Sequence, residues 1–152
     1  MSETRRIKDQ LKRAFEGEAW HGPSVCEVLA GINAEQAAAH PINGAHSIWE
    51  LVLHICAWER IARRRIEEWA PIEVTPEEDW PPVGETTEHA WKNVLNRLQL
   101  NHATLEEFVG RLDDSRLKEM VPGTPYNVYF LLHGVIQHDL YHAGQIALLK
   151  KG

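Results

Sequence analysis

The apolar positions of this 152-residue chain recur every three to four residues along most of its length, which is the spacing of one face of an α-helix. A first amphipathic stretch covers residues 4–16, and a longer one covers residues 48–69. The longer stretch directly follows Ser47, and Glu50 stands three residues after that serine, which is the capping-box pattern of a helix N-terminus. These two segments are predicted to be helices.

Two further long helices are predicted in the second half of the chain. The third helix begins at Thr86 or Thr87, after a connection rich in proline, and the fourth begins at Thr124 or Asn127 and runs almost to the end. No alternating apolar and polar run suggests a β-strand. The pattern therefore predicts an all-α four-helix bundle with long crossover connections, formed as one domain over residues 1–152.

Composition and charge narrow the class of partner. Sixteen basic residues stand against 22 acidic ones, and a net charge of −6 disfavours binding to nucleic acid and to anionic membranes. No apolar run reaches the length of a membrane-spanning helix, and the N-terminus lacks an apolar signal core. Cys26 and Cys56 lie far apart, as expected for a reduced, cytoplasmic protein. A small-molecule substrate is the partner expected of the enzyme functions considered below.

The last predicted helix carries two histidines at metal-binding spacing. His138 and His142 are four residues apart, so they lie about 40° apart on one helical face. Apolar residues share this face, which directs both imidazoles toward the bundle interior. Two neutral imidazoles in an apolar interior each need polar partners, and one shared metal ion would satisfy both. A hydrogen-bonded core without metal is the alternative interpretation.

A third histidine occupies a comparable position on another helix. His54 shares its face with Leu51, Trp58 and Ile61. With His138 and His142 it forms a set of three nitrogen ligands. No fourth protein ligand is evident, and catalytic metal sites keep such an open position for water or substrate.

The remaining histidines are not expected to bind the metal. His133 points away from the shared face of the last helix, and His46 is placed at the rim of the bundle. The others are interpreted as loop or solvent-facing residues: His21, His40, His89 and His102.

Three side chains are candidates to orient the ligand imidazoles from outside the ligand set. Glu50 lies one helical turn before His54, although its role in the capping box competes with this function. Gln145 lies three residues after His142, and Tyr141 is its immediate neighbour. Three tryptophans are candidates to wall the cleft: Trp49, Trp58 and Trp80. Aromatic residues at helical spacing more often belong to the core, and Trp80 is not counted as a site residue. The sequence identifies no catalytic acid, base or nucleophile.

Two stretches resemble a known family. Residues 46–59 (HSIWELVLHICAWE) and residues 132–146 (LHGVIQHDLYHAGQI) are similar to the second and fourth helices of the DinB/YfiT-like superfamily. The resemblance implies an up-down-down-up bundle, a homodimer, and one divalent metal ion, zinc or nickel, held by His54, His138 and His142. Some relatives are transferases or isomerases that use low-molecular-weight thiols such as mycothiol, bacillithiol or glutathione.

Three functions remain open at this stage. The first is a metal-dependent transferase or isomerase acting with a low-molecular-weight thiol. The second is a non-catalytic metal site with a structural or sensing role, including one in a stress response. The third is a metallohydrolase, because Asp139 takes the place of the glutamate in an H-E-x-x-H helix. Gly144 departs from the related iron-type domains, which carry a carboxylate at that position.

Overall fold

A computed structural model describes all 152 residues as an all-helical chain without β-strands. A 3₁₀ turn, Asp114–Lys118, precedes the last helix. None of the helices combines the length and apolarity that crossing a bilayer requires. In chain order the α-helices are α1 (Glu3–Phe15), α2 (Val25–Leu29), α3 (Ala34–Ala38), α4 (Ile48–Glu67), α5 (Pro76–Asp79), α6 (Glu88–Arg111) and α7 (Val128–Leu149).

The helix N-termini lie where side-chain capping predicts them. Ser47 caps α4: its hydroxyl accepts the Glu50 backbone N–H at 3.1 Å, while the Glu50 carboxylate accepts the Ser47 N–H at 2.6 Å. Thr87 caps α6 and Asn127 caps α7, which decides between the two starting points predicted for each helix. Helix α4 ends at Glu67, two residues earlier than the sequence pattern suggested.

The four long helices α1, α4, α6 and α7 form the predicted four-helix bundle. Helices α4 and α1 each pack against both α6 and α7. The core has two parts, one around Trp49 and Trp91 and the other around Leu105 and Leu132. The Trp49 ring is buried with its centroid 5.0 Å from that of Trp91, so of the two interpretations of this residue the core is correct and the cleft wall is not. The long connection over residues 68–87 contains α5, which folds back onto α4.

The prediction that His102 faces solvent is also wrong. This residue lies on α6 with 1% of its surface exposed, and its ring stacks on Phe15 at a centroid distance of 3.8 Å. Its Nδ1 lies 2.6 Å from Oε1 of Glu59 on α4. Leu98 and Leu105, four residues before and three residues after, are both buried, so helical spacing places His102 on the inward face despite its polarity.

Candidate metal centre

The three imidazoles predicted as ligands meet at one point between α4 and α7. The Nε2 atom of His138 lies 3.0 Å from Nε2 of His54 and 3.0 Å from Nε2 of His142. Nitrogens bound to one tetrahedral zinc at about 2.0–2.1 Å would lie about 3.3 Å apart. The three nitrogens are therefore spaced as ligands of a single ion.

Helix geometry explains this convergence. His138 and His142 are one turn apart on α7, and α7 packs directly against α4, which carries His54. His54 and His142 are buried, with 6% and 5% of their surfaces exposed, whereas His138 is partly open to solvent. The site thus lies at the edge of the core with one side accessible.

A backbone carbonyl fixes the orientation of His54. Its Nδ1 lies 2.6 Å from the carbonyl oxygen of Asp79, the last residue of α5. A carbonyl can only accept, so Nδ1 carries the proton and Nε2 keeps its lone pair for a metal. The Asp79 carboxylate in turn accepts the indole N–H of Trp58 at 2.7 Å. The folded-back connection therefore positions one of the three imidazoles.

His142 is oriented in the same way from its own helix. Its Nδ1 lies 2.6 Å from Oε1 of Gln145, one of the three side chains predicted to orient an imidazole. This bond also leaves Nε2 free to act as a ligand. Nδ1 of His138 is buried without a hydrogen-bond partner. Two of the three imidazoles are thus held in the tautomer that binds a metal through Nε2.

The other two side chains expected to orient the imidazoles have different contacts. Glu50 bonds the Ser47 backbone and lies 3.0 Å from Nε2 of His40, and it makes no hydrogen bond to a triad imidazole. Tyr141 is 66% exposed, and its ring centroid lies 5.1 Å from that of His142 in an edge-to-face arrangement. Gln145 is therefore the one candidate of the three that holds a triad ring by a hydrogen bond.

Trp80 contacts the site more closely than its sequence position suggested. Its ring stacks on His54 at 3.7 Å and, through its other face, on His46 at 3.6 Å. Trp58 also borders the site, with its ring centroid 6.2 Å from that of His138. Trp80 directly follows α5, and no periodic pattern there indicates which way its side chain points. Its aromatic character was the one feature of the sequence that suggested a place beside the site.

Burial keeps all three imidazoles neutral at pH 7. Desolvation lowers the pKa of His54 below its ordinary value and outweighs the hydrogen bond to Asp79. It also lowers the pKa of His142, against the opposing bond to Gln145. Burial together with the two neighbouring imidazoles lowers the pKa of His138 to about 3. Neutral imidazole is the protonation state that binds a metal ion.

The donor set fits a divalent transition metal. Three neutral imidazoles suit zinc, nickel, copper or cobalt, and they leave coordination positions free. Asp139, the residue in the position of the protease glutamate, is fully buried and is grouped with Glu59 and His102 rather than with the triad. A metal ion held by the triad would supply Lewis-acid chemistry, without a carboxylate base from this helix.

Two cavities flank the triad. One of about 190 Å³ is lined by His138 and mainly apolar side chains, among them Trp58, Tyr126 and Phe130. The other, of about 240 Å³, lies on the Gln145 side and is also mainly apolar. Both are open to solvent and border the residues that carry or orient the imidazoles.

The fold and the site together define a class: an all-helical bundle in which two helices bring three inward-facing histidines to one point. A family model described as the DinB superfamily matches residues 24–146, which is most of the chain. The chain therefore belongs to the DinB superfamily, and the family resemblance of its two histidine-bearing stretches is confirmed. No curated protein and no solved structure matches it.

Proposed function

We propose that His54, His138 and His142 hold one divalent metal ion, zinc or nickel, and that the protein is a transferase or isomerase acting with a low-molecular-weight thiol. The observation that carries this proposal is the convergence of three Nε2 atoms, with His138 Nε2 3.0 Å from each of the other two. The Nδ1 bonds of His54 and His142 support it, because they leave both Nε2 lone pairs available.

The protein's own thiols are poor candidates for the nucleophile. Burial raises the pKa of Cys26 to about 11, and burial together with the Glu59 carboxylate raises the pKa of Cys56. Both thiols therefore stay protonated at neutral pH and unreactive as nucleophiles. A small-molecule thiol supplied from solution avoids this difficulty.

The surrounding residues suit a thiol and an apolar electrophile. A divalent metal with an open position stabilises a bound thiol as its thiolate at neutral pH. The cavity beside His138 would receive the apolar part of the electrophile and exclude water from it, since Trp58 and Phe130 line its walls. Trp80 limits the movement of His54 by stacking on its ring. We assign no proton-transfer role to any residue.

A non-catalytic metal site is the second candidate. The bond between His54 and the Asp79 carbonyl favours it, because a metal at His54 would stabilise the folded-back connection together with the bundle. In this case the metal would raise thermal stability, and a thiol would have no access to an open coordination position. The metallohydrolase is not proposed, since Asp139 is grouped away from the triad.

Cobalt substitution separates the two candidates. Thiol binding to Co²⁺ in the triad should add a sulfur-to-metal charge-transfer band when glutathione, bacillithiol or mycothiol is titrated into the Co²⁺-loaded protein. His138→Ala should abolish the band. His133→Ala is the matched control, because His133 lies on the same helix and its ring contacts Tyr129, outside the triad, in a tilted arrangement with 4.2 Å between the centroids. A Co²⁺ spectrum that none of the thiols alters would contradict the transferase and favour the structural site.

A further inference from the structure

A second group of ligand-type side chains lies inside the bundle. Glu59 of α4, His102 of α6 and Asp139 of α7 are at most 1% exposed. One ligand atom from each lies within 4.8 Å of the other two. Glu106, one turn after His102 on α6, places Oε1 3.1 Å from Nε2 of that imidazole, without the alignment of a hydrogen bond. We call these four residues the core cluster.

The core cluster contains three carboxyl groups and one imidazole. Although burial opposes it, Glu106 and Glu59 raise the pKa of His102 to about 10, so this imidazole is the one positive charge of the cluster. A cation bound to His102 would displace its proton. One carboxylate oxygen of Glu59 lies 2.6 Å from Nδ1 of His102, and the other accepts a hydrogen bond from the side-chain amide of Asn101 at 3.3 Å. Both oxygens of Asp139 are buried without any hydrogen-bond partner. A buried polar group without a partner costs free energy, and a buried charge costs more. A ligand between these side chains would remove this cost.

We propose that Glu59, His102 and Asp139 bind a second divalent cation, separate from the histidine triad, with Glu106 as a further oxygen ligand. One imidazole nitrogen with several carboxylate oxygens is a harder donor set than three imidazoles. The core cluster therefore suits Mn²⁺ or Fe²⁺, whereas the triad suits zinc or nickel. The two sites differ in donor chemistry although Asp139 and His138 are neighbours on α7.

The position of the core cluster suggests what the cation does. Its members come from α4, α6 and α7, so a bound ion would join three of the four long helices. A ligand that binds only the folded chain stabilises it by mass action. Glu106, whose side chain is 11% exposed, is the most accessible member and marks the side from which a cation would enter.

The test uses Mn²⁺ on protein whose triad already holds zinc. Free Mn²⁺ has a six-line electron paramagnetic resonance signal that is lost on binding, so its titration counts bound ions. We expect about one Mn²⁺ per chain in the zinc-loaded wild type. Asp139→Asn should weaken Mn²⁺ binding by at least about 100-fold, because it replaces a charged carboxylate ligand with a neutral amide, a larger change than the loss of an outer partner. Glu107→Gln, which changes an exposed carboxylate on α6, should leave it unchanged.

Two further variants separate the core cluster from the triad and replace Asp139→Asn if that variant does not fold. His138→Ala should lose zinc but keep the Mn²⁺ site, which distinguishes failure of the triad from failure of the core cluster. If Asp139→Asn does not fold, as judged by circular dichroism, Glu106→Gln replaces it, with an expected loss of about 10-fold or more. Absence of Mn²⁺ and Fe²⁺ uptake by the zinc-loaded wild type would overturn the proposal. Uptake that survives Asp139→Asn in folded protein would overturn it as well.

Discussion

The hydrogen bond from His142 to Gln145 gives the sharpest prediction about the triad. Gln145 accepts the Nδ1–H of His142 at 2.6 Å and so keeps Nε2 unprotonated toward the site. Gln145→Met preserves the length and flexibility of the side chain but removes the acceptor. The imidazole can then rotate or change tautomer, and both changes weaken metal binding. We therefore expect a lower zinc affinity in a chain that still folds.

The expected loss of zinc affinity depends on what the hydrogen bond between His142 and Gln145 contributes in the metal-free and in the metal-bound protein. Leaving a buried N–H without its acceptor costs about 1–3 kcal/mol. The metal-free protein loses this bond too, so only the orienting part of the cost affects metal binding. Loss of such an outer partner typically reduces metal affinity about 10- to 100-fold, or by about 1.4–2.8 kcal/mol. We expect Gln145→Met to fall within this range.

The assay is competition for zinc between the protein and a chromophoric chelator at fixed pH. Gln137→Met is the matched control, because Gln137 lies on the same helix with its side chain exposed to solvent. The control should bind zinc as the wild type does. A Gln145→Met affinity within twofold of wild type would refute the orienting role of Gln145. Equal losses in both variants would show a general effect on α7.

Three further predictions follow from the structure. Trp58→Phe removes the indole N–H that holds Asp79 at 2.7 Å, so zinc affinity in the same competition assay should fall about 10-fold; an unchanged affinity would show that this bond does not position the connection. Trp49→Ala should lower the free energy of unfolding in urea by about 3–5 kcal/mol, because the ring is 1% exposed, and a loss below about 1 kcal/mol would contradict its place in the core. Burial raises the pKa of Cys26 from 9.0 to about 11, so iodoacetamide should alkylate it at pH 8 about 100-fold more slowly than a free thiol, whereas rapid alkylation at pH 8 would reopen a nucleophilic role.

Local periodicity accounts for the parts of the site that were predicted. His138 and His142 lie on one face because they are four residues apart on a helix whose apolar stripe is evident in the sequence. His54 follows from the same spacing on α4. The two helices pack along these stripes, so the three imidazoles meet although 84 residues separate His54 from His138.

The parts that were missed depend on long-range folding. Asp79 and Trp80 contact His54 only because α5 folds back onto α4. The prolines of this connection indicate a loop but do not predict where the loop packs. His102 was misassigned for a different reason: its polarity outweighed a spacing that matched its buried neighbours. The core cluster went unrecognised with it, since its members come from three separate helices. The single domain, homodimer and cytoplasmic location stay predictions.

Metal analysis by mass spectrometry tests the central claim most directly. Untagged wild type, His138→Ala and the control His133→Ala would be purified in parallel without chelator, and each would then be titrated with zinc and nickel. We predict about one zinc or nickel ion per chain in the wild type and the control, and none in His138→Ala. A wild type that contains neither metal and takes up neither on titration would contradict the account, and the three imidazoles would then be a hydrogen-bonded part of the core.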